Sequence, residues 1–136
     1  MQACYLTITT SVDGSETQIS RRGEMELTPV SVHLRYEEET AKVRMKIQGE
    51  EAIIERNGDY SMRLSLKRGE RTSGTLGILG NFGEIQTHTH KIVYSIGNDS
   101  LLLLMQYDLL INGEKQKMKI RLLARNLEEN DQEEIK

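Results

Sequence analysis

Tryptophan is absent from this chain of 136 residues, and phenylalanine, proline and cysteine occur once each. With only Cys4, no intrachain disulfide can form. The opening stretch, residues 1–10, has neither the basic nor the apolar segment that directs secretion, so the expected location is a reducing cytoplasm. Long apolar runs are missing as well. The longest, Leu101 to Met105, is far short of the roughly 20 residues a membrane-spanning helix needs, and the chain reads as soluble, with no membrane partner. Its length suits one domain whose core needs no metal or disulfide staples.

An excess of positive charge is also lacking. The chain holds 21 acidic and 18 basic residues, but five of the acids and one lysine lie in the last stretch, residues 126–136, which leaves the body at about +1. A near-neutral body has no field with which to neutralise phosphates, so nucleic acid is not an expected partner. Two parts follow: a folded domain over 1–125 and an acidic tail over 126–136, read as a solvated end or a short helix.

What the chain does have is period-two alternation, which sends every second side chain to one face of a strand. Val30, Val32, Leu34 and Tyr36 alternate with Ser31, His33, Arg35 and Glu37. Val43, Met45 and Ile47 do the same against Lys42, Arg44 and Lys46, as do Tyr60, Met62, Leu64 and Leu66 against Ser61, Arg63 and Ser65. Further strands are expected near 3–12, 15–22, 51–56, 70–78, 84–96, 100–111 and 114–125. No helix is expected before the tail.

Asp13-Gly14, Asn57-Gly58 and Asn112-Gly113 are dipeptides that take positive φ in two-residue hairpin turns, so each is expected to join antiparallel neighbours. The last hairpin also fixes its own register. Tyr107 then faces Met118, Met105 faces Ile120, and Leu103 faces Leu122, while Asp108 stands opposite Lys117 as a cross-strand ion pair. A slip of one residue would bury Lys117, Lys119 and Arg121. A meander of this kind leaves two raw sheet edges unless its ends meet. The expected fold is all-β: a single antiparallel up-and-down barrel of about 8–10 strands, with a two-sheet sandwich as the alternative.

Few residues suggest chemistry. Gly74, Gly77, Gly80 and Gly83 stand three apart, but no Lys-Ser/Thr follows them and a strand comes next, so they read as barrel bends or a turn around Asn81-Phe82. His88 and His90, two apart on a strand, project from one face about 6.5–7 Å apart, close enough to share a metal ion. Their parity is that of Ile92, Tyr94 and Ile96, which aims them inward; His33 has outer parity, so carboxylates or water would have to complete any metal shell. The reading assigns no metal and no cofactor, and treats the two histidines as hydrogen-bonded interior groups or the lining of a small cavity. Tyr36, Glu38 and Arg56 are expected to meet at a barrel end, where the guanidinium can fork onto a carboxylate or bind an anion. Lys115, Lys117, Lys119 and Arg121 form a basic outer stripe, read as a solvated face. Cys4 has no base beside it, and no catalytic residue is assigned.

One resemblance runs through the ordered pieces Tyr36-Glu37-Glu38, Arg56-Asn57-Gly58 followed by Met62, Phe82-Gly83, and Tyr107-Asp108-Leu109 leading into Asn112-Gly113. Together they resemble the YwiB-like β-barrel family of Gram-positive bacteria, grouped structurally with the lipocalin-like calycins. That resemblance implies a closed antiparallel barrel with room for an interior cavity and no established activity. True lipocalins carry a Gly-x-Trp signature, which a chain without tryptophan cannot have, and the Arg-x-Tyr clamp of cytosolic fatty-acid carriers is missing from the last strand as well.

The function expected first is a cytosolic module that holds a small apolar or amphipathic ligand inside the barrel, using His88, His90, Tyr94, Tyr36, Glu38 and Arg56. The second is a non-enzymatic structural or protein-interaction barrel with a filled core, forming a homodimer through outward Leu102, Leu104 and Leu110 if that face is exposed. An enzyme comes third, for want of a nucleophile, base and orienting group at workable spacing.

Overall fold

The structure, a computed structural model, describes residues 1–127; of the expected tail over 126–136, Asn126 instead ends the last strand and residues 128–136 lie outside the described range. Ten strands follow one another: β1 (Gln2–Val12), β2 (Ser15–Thr28), β3 (Ser31–Glu38), β4 (Ala41–Gln48), β5 (Glu51–Gly58), β6 (Tyr60–Lys67), β7 (Arg71–Ile78), β8 (Asn81–Ile96), β9 (Ser100–Ile111) and β10 (Glu114–Asn126). Each pairs antiparallel with the next, and β1 pairs with β10, so the sheet closes into an up-and-down barrel. Closure pairs the first strand with the last, as the edge argument favoured, and removes the sandwich alternative. Among the described residues no helix is long and apolar enough to cross a membrane.

Alternation does the folding work on the inner face. Val43, Met45 and Ile47 are 4, 5 and 0 % exposed, Leu64 and Leu66 both 0 %, and they join Leu6, Leu34, Leu103 and Leu122 in one buried cluster. In the final hairpin Tyr107 pairs with Met118, Met105 with Ile120 and Leu103 with Leu122, the register expected from turn and parity. Asp13-Gly14 and Asn112-Gly113 turn with positive φ at both residues, as two-residue hairpins of this hand require.

Three local expectations fail. Val30 is not the first inner residue of β3: it sits exposed in the β2–β3 turn behind Pro29, where its amide and that of Ser31 donate to the Thr28 hydroxyl. Asn57-Gly58 is not a turn either. Both residues stay extended because β4 claims them, Lys42 opposite Asn57 and Ala41 opposite Gly58, and pairing with β6 starts only at Arg56 with Met62. The wide corner between is closed by the Arg56 side chain, whose Nη1 donates to the Tyr60 carbonyl at 2.8 Å. Finally, the turn expected around Asn81-Phe82 falls two residues earlier. Leu79 and Gly80 take φ of 51° and 81°, with Ile78 paired to Asn81.

The wall is uneven in height. Strands β3 to β7 have 8 residues each, whereas β8 has 16. As a result β7 covers β8 only from Asn81 to His88, and Thr89 exchanges backbone bonds with Gly69 and Glu70. Beyond that point β9 pairs with one side of Lys91–Ile96, and among the described residues no strand pairs with the other. Because the Gly97 amide donates to the Ser100 carbonyl, alternation along the ladder turns the peptide groups of Ile92, Tyr94 and Ile96 toward this free edge.

Candidate functional site

The inner face of β8 reads Ile85, Thr87, Thr89 and then Ile92, and the change of parity occurs at a β-bulge between Thr89 and Lys91. One extra residue, His90, enters the strand there. The expectation that His88 and His90 point inward with Tyr94 therefore fails: Thr87 and Thr89, 1 and 0 % exposed, take the inner places, and both histidines lie on the outer surface. Tyr94 is on the other side of the wall, where its hydroxyl donates to the Val30 carbonyl at 3.4 Å.

Outside, the two imidazoles meet a carboxylate. His88 is the cross-strand partner of Asp108 on β9, and the bulge swings His90 alongside, its ring 4.6 Å from that of His88. His90 Nε2 lies 2.8 Å from Asp108 Oδ2, and Lys115 Nζ approaches the same oxygen to 3.3 Å. The expected ion pair of Asp108 with Lys117 is not what forms. Lys117 stands opposite in register, but Asp108 bonds diagonally to Lys115 and across to His90. Although its side chain points outward, Asp108 is only 6 % exposed, since these neighbours cover it. Burial pushes its carboxyl pKa up, but the hydrogen bonds from His90 and Lys115 outweigh it and hold the group below the usual carboxylate range.

A second polar cluster lies at the end of the barrel that carries the Asn112-Gly113 turn. Arg56, 8 % exposed, bonds Asp59 at 2.8 Å, approaches Glu38 at 3.6 Å and stacks 3.7 Å over the Tyr60 ring. Tyr36 is buried nearby, and burial, helped by the charge of Glu38, raises its phenol well above the ordinary value. The structure thus brings Arg56 and Glu38 together, with Asp59 as a partner that spacing alone did not reveal. Donation from Arg56 lowers the Asp59 pKa from 3.8. The group is ionised more readily in the fold than in the open chain, so its stabilisation is present above that value and fades as pH falls through the lower folded one. The melting temperature of wild type is accordingly expected to fall toward that of Asp59→Asn below about pH 3.8, by a small, salt-sensitive amount because the Asp59 carboxylate is open to solvent.

Comparison with known proteins adds the lineage. The model of a family described as a domain of unknown function, DUF1934, matches residues 5–122. The chain belongs to the DUF1934 family. Its fold is similar to the crystal structure of the YwiB protein from Bacillus subtilis, with a TM-score of 0.77 over 93 % of each chain at 18 % identity, and the YwiB-like resemblance holds. Among curated proteins none matches.

In this DUF1934 barrel the grouping of His88, His90 and Asp108 was the feature that sequence reasoning missed. Its signal was present in part: the register of the last hairpin puts Asp108 on the outer face, but nothing in the composition of β8 announces the bulge that turns the histidines toward it.

Proposed function

We propose that the domain is a non-enzymatic interaction barrel in the cytoplasm whose core is filled by side chains and which pairs with a second copy of itself along β8. The observation that carries the reading is the surface around the free edge. Val93, 48 % exposed, pairs with Leu104, and Leu102 pairs with Leu123, 44 % exposed, so an apolar outer patch on β8, β9 and β10 adjoins peptide groups that no strand pairs among the described residues. Leu102, Leu104 and Leu110 are each half-buried, and the openly exposed members are Val93 and Leu123.

The edge suits its own copy. An antiparallel pairing of 91–95 about Val93 sets Ile92 opposite Tyr94 and Lys91 opposite Ser95, so side chains of one face meet and no like charges oppose. Apart from Ile19, the corresponding stretch of β2 that β3 leaves uncovered, residues 15–22, is polar or charged and offers no such match. A cytoplasmic setting fits Cys4, a fully buried thiol whose pKa burial raises to about 11.

A small apolar or amphipathic ligand in the interior has less support. Side chains lining a cavity keep area facing it, yet Leu6, Leu64, Leu66, Leu103 and Leu122 are all 0 % exposed. In its favour stands the Thr89 hydroxyl, buried without a hydrogen-bond partner among the described residues.

Sedimentation velocity over a range of concentrations is the test. The expected result is a reversible monomer–dimer equilibrium, abolished by Val93→Lys, which would set two ammonium groups against each other across the two-fold axis without touching the core. A wild-type chain that stays monomeric at every concentration overturns the self-pairing.

A further inference from the structure

We propose that His88, His90 and Asp108 form a binding site for a divalent first-row metal ion, zinc foremost, on the outer wall of the barrel. This goes beyond the pairing of β8 and does not depend on it. Three donor side chains converge with ligand atoms all within 4.8 Å of one another, and they come from two adjacent strands of one rigid sheet. The bulge is what assembles them. Without the extra residue, β8 would keep one parity and the outer positions near Asp108 could not include both histidines together with an inward Ile92.

The donor set selects the metal class. Two imidazole nitrogens and one carboxylate oxygen suit zinc and its first-row neighbours, whereas calcium and magnesium take shells of oxygen. Three protein ligands also leave positions open. Beside His90 and Asp108 lies a surface recess of about 310 Å³, bordered also by Gln106, Lys115 and Lys117, with room for water or a small anion.

Lys115 already holds the place of a cation. Its ammonium lies 3.3 Å from Asp108 Oδ2 on a side chain that is 56 % exposed, so it can swing into solvent when an ion takes over the carboxylate. Arg71, the partner of His88 on β7, and Lys117, the partner of Asp108 on β10, add further positive charge around the site. These cations oppose metal binding, which makes the Lys115 variant a diagnostic.

The experiment is calorimetric titration of zinc chloride into the full chain prepared without an affinity tag. One ion per chain is expected. His90→Ala, at an exposed position, and Asp108→Asn should each weaken binding by at least about 10- to 100-fold, the loss typical of even an outer-shell partner. His33→Ala, on β3, should leave it unchanged, and Lys115→Ala should tighten it by removing the competing charge. Zinc should also raise the melting temperature of wild type and of His33→Ala but not of His90→Ala, a readout that keeps the assignment open to refutation if Asp108→Asn folds poorly. Absence of zinc binding by wild type, or binding that survives His90→Ala, overturns the proposal.

Discussion

Replacing Leu103 with alanine is expected to lower the free energy of unfolding by about 3–5 kcal/mol, measured by urea denaturation. Leu103 lies on the inner face of β9 between Tyr94 and Leu122 and is 0 % exposed. In a filled barrel its removal leaves a void that rigid neighbouring strands cannot collapse into, so the cavity cost adds to the lost transfer energy. In a hollow barrel the same side chain would line space that exists already, and the loss would stay near the transfer contribution alone, about 1.5–3 kcal/mol. The half-buried Leu110, on the outer face of the same strand, serves as the comparison, and its alanine variant should cost clearly less.

Gly58→Ala is expected to destabilise the barrel by about 3 kcal/mol, at the upper end of overpacking effects. Its φ is not positive, so the glycine is not there for a left-handed turn. A Cβ at this position would come within 2.0 Å of the Thr40 carbonyl oxygen, 2.5 Å of the Ala41 Cβ and 2.6 Å of the Ala41 Cα. Two of those atoms are backbone and cannot step aside without breaking the β4–β5 ladder. Gly83→Ala is the control: nothing lies within 4 Å of its Cβ position, and the change should be neutral or stabilising by up to about 1 kcal/mol. Equal effects at the two positions would contradict the close-approach account.

Gly58 also illustrates where local reading stops. Asn57-Gly58 has the composition of a two-residue turn, and β5 and β6 are indeed antiparallel neighbours, but β4 on the far side holds the dipeptide extended. A dipeptide carries information about its own conformational preferences and none about the strand beside it. The β9–β10 hairpin was legible because everything that sets its register is contained in it: a turn with positive φ, inner apolar partners and basic residues that must stay on the outer face. Closure was legible for a related reason, since ten amphipathic strands with short connections have few other ways to hide two edges.

The outer cluster was not legible, and one residue is responsible. Parity counting along β8 assumes an unbroken period of two, and the bulge at His90 breaks it without any glycine or proline to mark the place. Everything upstream of the bulge changes sides as a result, so His88 and His90 go out and Thr87 and Thr89 go in. The partner of Asp108 changes with it. A directly opposed Lys117 is the expected mate in a flat ladder, but once His90 arrives, the carboxylate is shared between the imidazole and the diagonal Lys115. The Arg56–Glu38 pairing, by contrast, needed only unbroken parity on β3 and β5 and short loops at one barrel end.

As proposed, the barrel is filled and acts from its outer wall. Native mass spectrometry of the protein as isolated, under conditions that preserve assemblies, tests both halves at once. The expected result is the mass of the chain and of its dimer, carrying nothing beyond metal ions. A monomer that retains an organic molecule released only on unfolding would contradict it.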